Sequence, residues 1–142
     1  LVKDNIYYFG ILNGLTKQDI TNRLNQYLER YPELKTLLHK KVESISFGQK
    51  KIISTLVAII CDNHCIILDE VSEGLDVDSK NIVIEMLSEI KKDKIIILVS
   101  HDFEFMSHCT DYGIYIFNGK VMSTIDNCTL DHLKSEYKEY VV

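Results

Sequence analysis

The chain has 142 residues and a formal net charge of −5, with 46% hydrophobic and 26% charged residues; this is one domain's length, with apolar content enough for a single core. The acidic balance offers no basic field for a polyanion, which excludes nucleic acid as a direct partner. No apolar run approaches the ~18 residues needed to span a bilayer and no signal-peptide pattern opens the chain, so a cytosolic or cytosol-facing location is expected.

The first residue is Leu1 rather than Met, and the opening reads like the interior of a longer protein, either processed, cut or one piece of it. Thr16 to Asp19 has the form of a helix-start capping box, and Ile20, Leu24, Tyr27 and Leu28 follow at helical spacing, which predicts a helix over 16–30. Pro32 begins another short helical stretch carrying Leu34, Leu37 and Leu38 on one side. Residues 1–45 are thus expected to form a helical subdomain, and 46–142 the remainder of one incomplete domain.

A second capping box, Ser46-Phe47-Gly48-Gln49, precedes Ile52, Ile53, Leu56, Val57, Ile59 and Ile60, which predicts a largely buried helix ending near Asn63. Cys65 to Leu68 reads as a buried strand; Ile82, Val83, Met86, Leu87 and Ile90 repeat at helical spacing up to Lys91, Lys92 and Lys94; Ile95 to Val99 reads as a second buried strand. Strand, helix, strand is a right-handed βαβ unit, so Asp69-Glu70 and Ser100-His101 must leave the sheet at the same carboxyl edge, where ligands bind in open α/β folds. Two strands flanking Asn118-Gly119 form a hairpin, and Leu130 to Tyr140 a closing helix.

The four cysteines, Cys61, Cys65, Cys109 and Cys128, lack CxxC spacing, and the cluster Cys61, His64, Cys65 has no second Cys/His pair of suitable spacing to complete a zinc site. Reduced cysteines acting as small core hydrophobes are expected.

Two adjacent carboxylates at a strand end repel each other unless a cation or proton intervenes. A hard divalent ion held through one carboxylate and substrate phosphates relieves the repulsion and leaves the other acid to handle a water, which assigns Asp69 to Mg²⁺ and Glu70 to the base. His101, at the same edge, is placed to hydrogen-bond a phosphate or position a water. The box Ser46 to Gln49 presents helix N-terminal amides, and Gly48 admits an anion closely.

The order of these pieces resembles the ATP-binding cassette (ABC) ATPases, the nucleotide-binding subunits of ABC transporters. Ile45-Ser46-Phe47-Gly48-Gln49 is similar to the family signature LSGGQ, Cys65 to Glu70 to its Walker B strand and catalytic glutamate, Ser72 to Asp76 to its D-loop, and Ser100-His101 to its switch histidine. The opening segment is similar to the helical stretch after the Q-loop in transporter ATPases, particularly the drug-exporter and ABC-2-type branch. The resemblance implies the carboxyl-terminal part of a P-loop NTPase fold of class α/β: a helical subdomain, a parallel βαβ core, then a β-hairpin and helix. It further implies ATP and Mg²⁺ as ligands, and hydrolysis of ATP to ADP and phosphate. Asp69 would hold Mg²⁺ through water, Glu70 and His101 would be catalytic, Ser46, Phe47, Gly48 and Gln49 would meet nucleotide in trans, and Ser72 and Asp76 would join two sites across a dimer. Implied partners are a second ATPase subunit, membrane-spanning transporter subunits and the amino-terminal half of the same domain.

Two substitutions depart from the pattern: Phe47 at the first signature glycine and Val71 where proline is usual. The larger departure is that no G-x-x-x-x-G-K-[ST] occurs, and the only Gly-Lys pair, Gly119-Lys120, falls in the hairpin. The Walker A loop and the Q-loop glutamine would lie before Leu1, so the chain alone is expected to be inactive, with exposed sheet edges. Two alternatives are a distal lobe of a chromosome-maintenance ATPase, disfavoured by the lack of heptads in 1–44, and a non-catalytic half-cassette.

Overall fold

The computed structural model describes residues 1–141, with side chains through residue 139; residue 142 of the expected distal part lies outside the described residues. The elements are α1 (Val2–Leu12), α2 (Lys17–Arg30), short 3-10 turns at Pro32–Thr36 and Val42–Ser44, α3 (Phe47–Ile60), β1 (Cys65–Asp69), α4 (Val77–Ile90), β2 (Ile95–Val99), α5 (Phe103–Cys109), β3 (Tyr112–Phe117), β4 (Lys120–Asp126) and α6 (Leu130–Val141). No helix among the described residues is long and apolar enough to cross a membrane.

Both expected capping boxes are formed. Thr16 Oγ1 accepts from the Asp19 amide at 3.2 Å while Asp19 Oδ2 accepts from the Thr16 amide at 3.1 Å. Ser46 and Gln49 make the same reciprocal pair, both at 3.1 Å. Each box satisfies two amides that the first helical turn leaves open. Behind them, Ile20, Leu24 and Leu28 of α2 and Ile52, Ile53, Leu56, Ile59 and Ile60 of α3 are buried in one apolar cluster that runs from Val2 of α1 to Cys109 of α5.

Helices α1 and α2 meet at Gly10. A β-carbon there would lie 2.6 Å from Ile20 Cδ1, and Ile20 is fully buried and has no room to yield. Gly10→Ala gains about 1 kcal/mol of helix propensity but overpacks a closed contact, which costs roughly 1–3 kcal/mol. The steric cost wins, and urea unfolding of the variant is expected to show a net loss on the order of 1 kcal/mol; equal or greater stability would mean the helices separate freely here.

Strands β1 and β2 are parallel and paired from Cys65 opposite Ile95 to Asp69 opposite Val99. The expectation of fully buried strands is corrected. Ile66 and Leu68 face the helices and are buried, whereas Ile67 is 68% exposed, and Ile95, Ile97 and Val99 are exposed with it. Every strand has two faces, and helices cover one side of this two-stranded sheet only, so the apolar residues of the other side have no covering element among the described residues. Cys65 lies on that bare face and is exposed, unlike the buried thiols of Cys61, Cys109 and Cys128.

The hairpin β3–β4 turns at Asn118 and Gly119, both with positive φ (47° and 73°), as a two-residue loop of primed type requires. Helix α5 has no counterpart in the sequence reading. Its start is the Asp102 carboxylate accepting from the Phe105 amide at 3.0 Å, and its anchor is Phe105, which is fully buried. Among the described residues β2 pairs only with β1 and β3 only with β4. Strands β2 and β3 line a common groove of about 680 Å³ whose walls include Ile97, Val99, Ile114 and Ile116.

Candidate active site at the sheet edge

The parallel register brings the chain out of β1 and β2 side by side. Glu70 follows Asp69 in the left-handed region, φ 47°, and its amide donates to Val99 O at 2.8 Å, extending the ladder by one bond. The turn directs the Glu70 carboxylate at the segment leaving β2. Its Oε2 is sealed from solvent and has no well-aligned hydrogen bond; His101 Nδ1 lies 3.0 Å away as its ion-pair partner. The His101 ring is otherwise open, its side chain 76% exposed.

The pull of the Glu70 carboxylate on the ring proton, then its charge, raise the His101 pKa above the ordinary 6.5; Glu73 and Asp102 add to this against a small desolvation effect. A histidine whose folded pKa exceeds its unfolded one contributes stability that is fully present below about pH 6.5 and is lost as pH rises through the folded value. Glu70→Gln is expected to lower the His101 titration midpoint, followed by ring-proton NMR, because the two largest raising effects are both lost. An unchanged midpoint would show that the two side chains are not paired in solution.

Ser72 is buried, with its Oγ 3.1 Å from Ser100 Oγ, which in turn accepts from the Asp102 amide at 3.1 Å. This ties the loop after β1 to the loop after β2. Asp102 is desolvated, but its pairing with Lys80 and its cap on α5 outweigh that and hold its pKa low. Asp76 caps α4 by accepting from the Ser79 amide at 2.8 Å, and this bond lowers its pKa. Asp69 is exposed at the strand end.

The box at the start of α3 lies against the same region. A β-carbon at Gly74 would sit 3.1 Å from Phe47 Cδ1, and one at Gly48 would sit 3.4 Å from Leu75 Cδ2. The ring of Phe47, 59% exposed, therefore rests on the turn at Gly74, where φ is +72°. Glu70, Ser72 and His101, with Asp69 at the end of β1, thus lie at one sheet edge; Asp76 follows in the loop of Ser72 as the cap of α4, and Phe47 and Gly48 of the Ser46–Gln49 box lie beside Gly74 and Leu75 of that loop. Sequence reasoning missed Lys51, whose Nζ donates to Glu70 O and lies 5.0 Å from the centre of the Phe47 ring. Its position four residues after Phe47, on the same helix face, was the available signal.

Among the described residues no group of three or more His, Cys, Asp or Glu is arranged to hold a metal by itself. One exposed carboxylate, Asp69, beside a buried carboxylate oxygen that lacks an aligned donor is a donor set for a hard ion that keeps most of its water and takes phosphate oxygens, and it suits Mg²⁺. Gly119 and Lys120 lie in the β3–β4 hairpin, as expected.

A parallel strand pair backed by helices, with an acidic pair and a histidine at its carboxyl edge and a capped helix start alongside, defines the distal part of a nucleoside-triphosphatase core. A comparison with protein-family models finds no match. Among curated proteins, the chain is 31% identical over 121 residues to the ABC transporter ATP-binding protein NatA of Bacillus subtilis, covering 84% of this chain and 49% of NatA. It is also 31% identical over 137 residues to ABC transporter A family member 1 of Dictyostelium discoideum, covering 96% of this chain and 15% of that protein. Among solved structures, the ATP-binding subunit of an ABC transporter superposes with a TM-score of 0.82 at 21% identity, over 96% of this chain and 62% of that one. The homologues of this chain are ABC transporter ATP-binding proteins, and the partial coverage is consistent with the carboxyl-terminal half of their nucleotide-binding domain. It spans about half the length of NatA and a smaller share of the Dictyostelium protein.

Proposed function

We propose that this chain is the signature-bearing half of a transporter ATPase that hydrolyses ATP to drive transport, in the manner of the drug-exporter and ABC-2-type branch, and that the 142 residues are inactive alone. Residues 1–45 serve as the helical subdomain and 46–142 as the distal part of the catalytic core. The observation that carries this reading is the meeting of Asp69, Glu70 and His101 at one sheet edge, with the capped start of α3 beside the Ser72–Asp76 loop.

In this reading Glu70 orients the attacking water and takes its proton. Its partly enclosed setting keeps the carboxylate close to the reacting water, and His101 holds a γ-phosphate oxygen through its exposed ring nitrogen while Nδ1 faces Glu70. Asp69 would hold Mg²⁺, which when bound neutralises charge on the β- and γ-phosphates. The start of α3 from Ser46 to Gln49, where the box leaves the amides of Phe47 and Gly48 open, meets the nucleotide of a second ATPase subunit, and Ser72 and Asp76 face that subunit. Movement passes to membrane-spanning partners, which places the assembly at the cytosolic face of a membrane.

The partner nearest at hand is the amino-terminal half of the same domain. The free edges of β2 and β3, facing one groove of about 680 Å³ with apolar walls, support a seat for its strands, since such edges are stable only when paired or covered. Co-expression with the amino-terminal half of a NatA-like cassette is expected to give a 1:1 complex that binds Mg-ATP and in which the amides of β2 and β3 exchange with deuterium more slowly. Failure of the two halves to co-purify, with β2 exchange unchanged, would refute the assignment of the chain as a half-domain.

A further inference from the structure

The Glu70 peptide is held from three sides. Its amide donates to Val99 O, its carbonyl accepts from the Glu73 amide at 3.2 Å, and the same carbonyl accepts from Lys51 Nζ, which reaches across from the second turn of α3. A non-glycine residue in the left-handed region persists only where its surroundings over-determine it. Here that conformation is what sends the Glu70 side chain to His101 instead of along the strand axis. Of these partners Glu73 lies in the same turn, Val99 ends β2 and Lys51 belongs to α3, and the Lys51 ammonium lies over Phe47 at the start of α3, whose ring in turn rests on Gly74.

We propose that Lys51 is a positioning residue: it fixes the Glu70 peptide so that the carboxylate faces His101, and through Phe47 it links the capped start of α3 to that carboxylate. The carbonyl, with two lone pairs, takes both donors without conflict. A cation over an aromatic face is held in place as well as attracted, so displacement of Phe47 moves the ammonium and with it the Glu70 carbonyl. Any ligand that closes on Ser46 to Gln49 is thereby felt at Glu70. The functional half of this inference rests on Glu70 handling the attacking water, as proposed above; the geometric half needs no nucleotide and is tested on the full 142-residue chain.

Isotope-labelled chain examined by NMR is expected to show three signatures: the intense intraresidue amide-to-Hα Overhauser peak of a left-handed residue at Glu70, an Overhauser contact from the Glu70 side chain to the His101 ring, and a coupling across the hydrogen bond from Lys51 Nζ to the Glu70 carbonyl carbon. Lys51→Met keeps the stem packed on Phe47 and removes the donor, so the first two signatures are expected to disappear while the dispersed amide spectrum of the core persists. Lys51→Arg, which restores a donor, is expected to bring both back. Retention of both signatures in Lys51→Met would overturn the proposal. Should that variant lose its fold, the cross-hydrogen-bond coupling in the unaltered chain decides, and its absence overturns the proposal in the same way. A failure of the ATPase reading would leave all three signatures in place, so the two conclusions fail separately.

Discussion

Glu70→Gln, made in a complete cassette assembled from this chain and its amino-terminal half, is expected to lower ATP turnover at least about a hundredfold while leaving nucleotide affinity nearly unchanged. The argument is geometric. Glutamine has the shape of glutamate and can still fill the place beside His101, but it cannot accept the proton of the attacking water. The interactions that hold ATP come from backbone amides, a P-loop lysine and the metal, none of which involves the Glu70 carboxylate. Turnover should therefore fall with little change in binding, measured as phosphate release alongside equilibrium binding of labelled ATP. Turnover at the normal rate would refute Glu70 as base, and a parallel loss of binding would show that the carboxylate serves the nucleotide's seat instead.

The second large effect concerns the chain by itself. Without a Gly-rich loop ending in Lys-Ser or Lys-Thr, the 142 residues offer nucleotide only the amides at the start of α3 and the edge group around Asp69. A helix N-terminus and one carboxylate-held ion are weak attractors compared with a nest of amides closed around two phosphates. Mg-ATP is expected to bind with a dissociation constant of about 1 mM or weaker, near 4 kcal/mol of binding free energy, with no measurable hydrolysis. Calorimetric titration checks this directly. Micromolar affinity would sink the half-cassette reading, because the affinity would then have to come from residues assigned no phosphate contact.

Much of this molecule was legible from residue order. The capping boxes at Thr16 and Ser46 marked two helix starts because each needs only local side chains to satisfy local amides, and both formed as expected. Asn118-Gly119 marked the hairpin because few other pairs accept two positive φ angles in succession. The convergence of Asp69-Glu70 with Ser100-His101 followed from the parallel strands of a βαβ unit, which put both carboxyl ends at one edge whatever the individual residues. Motif spacing in turn carried the family.

What only the tertiary structure decided depends on contacts distant in sequence. The apolar runs of β1 and β2 read as buried on both faces, yet an apolar residue is buried only where some other element arrives to cover it, and Ile67 and Ile97 have none among the described residues. Helix α5 escaped notice because seven residues give too short a period, and it is held by one cap and the burial of Phe105. Lys51 drew no reading from the sequence; its contact arises only because the turn after β1 brings Glu70 O within its reach, 19 residues away along the chain. Local hydrogen bonding and the parallel direction of strands in a βαβ unit are written in sequence order, whereas coverage of a sheet face and the partner of a long flexible cation are set by which elements meet in space.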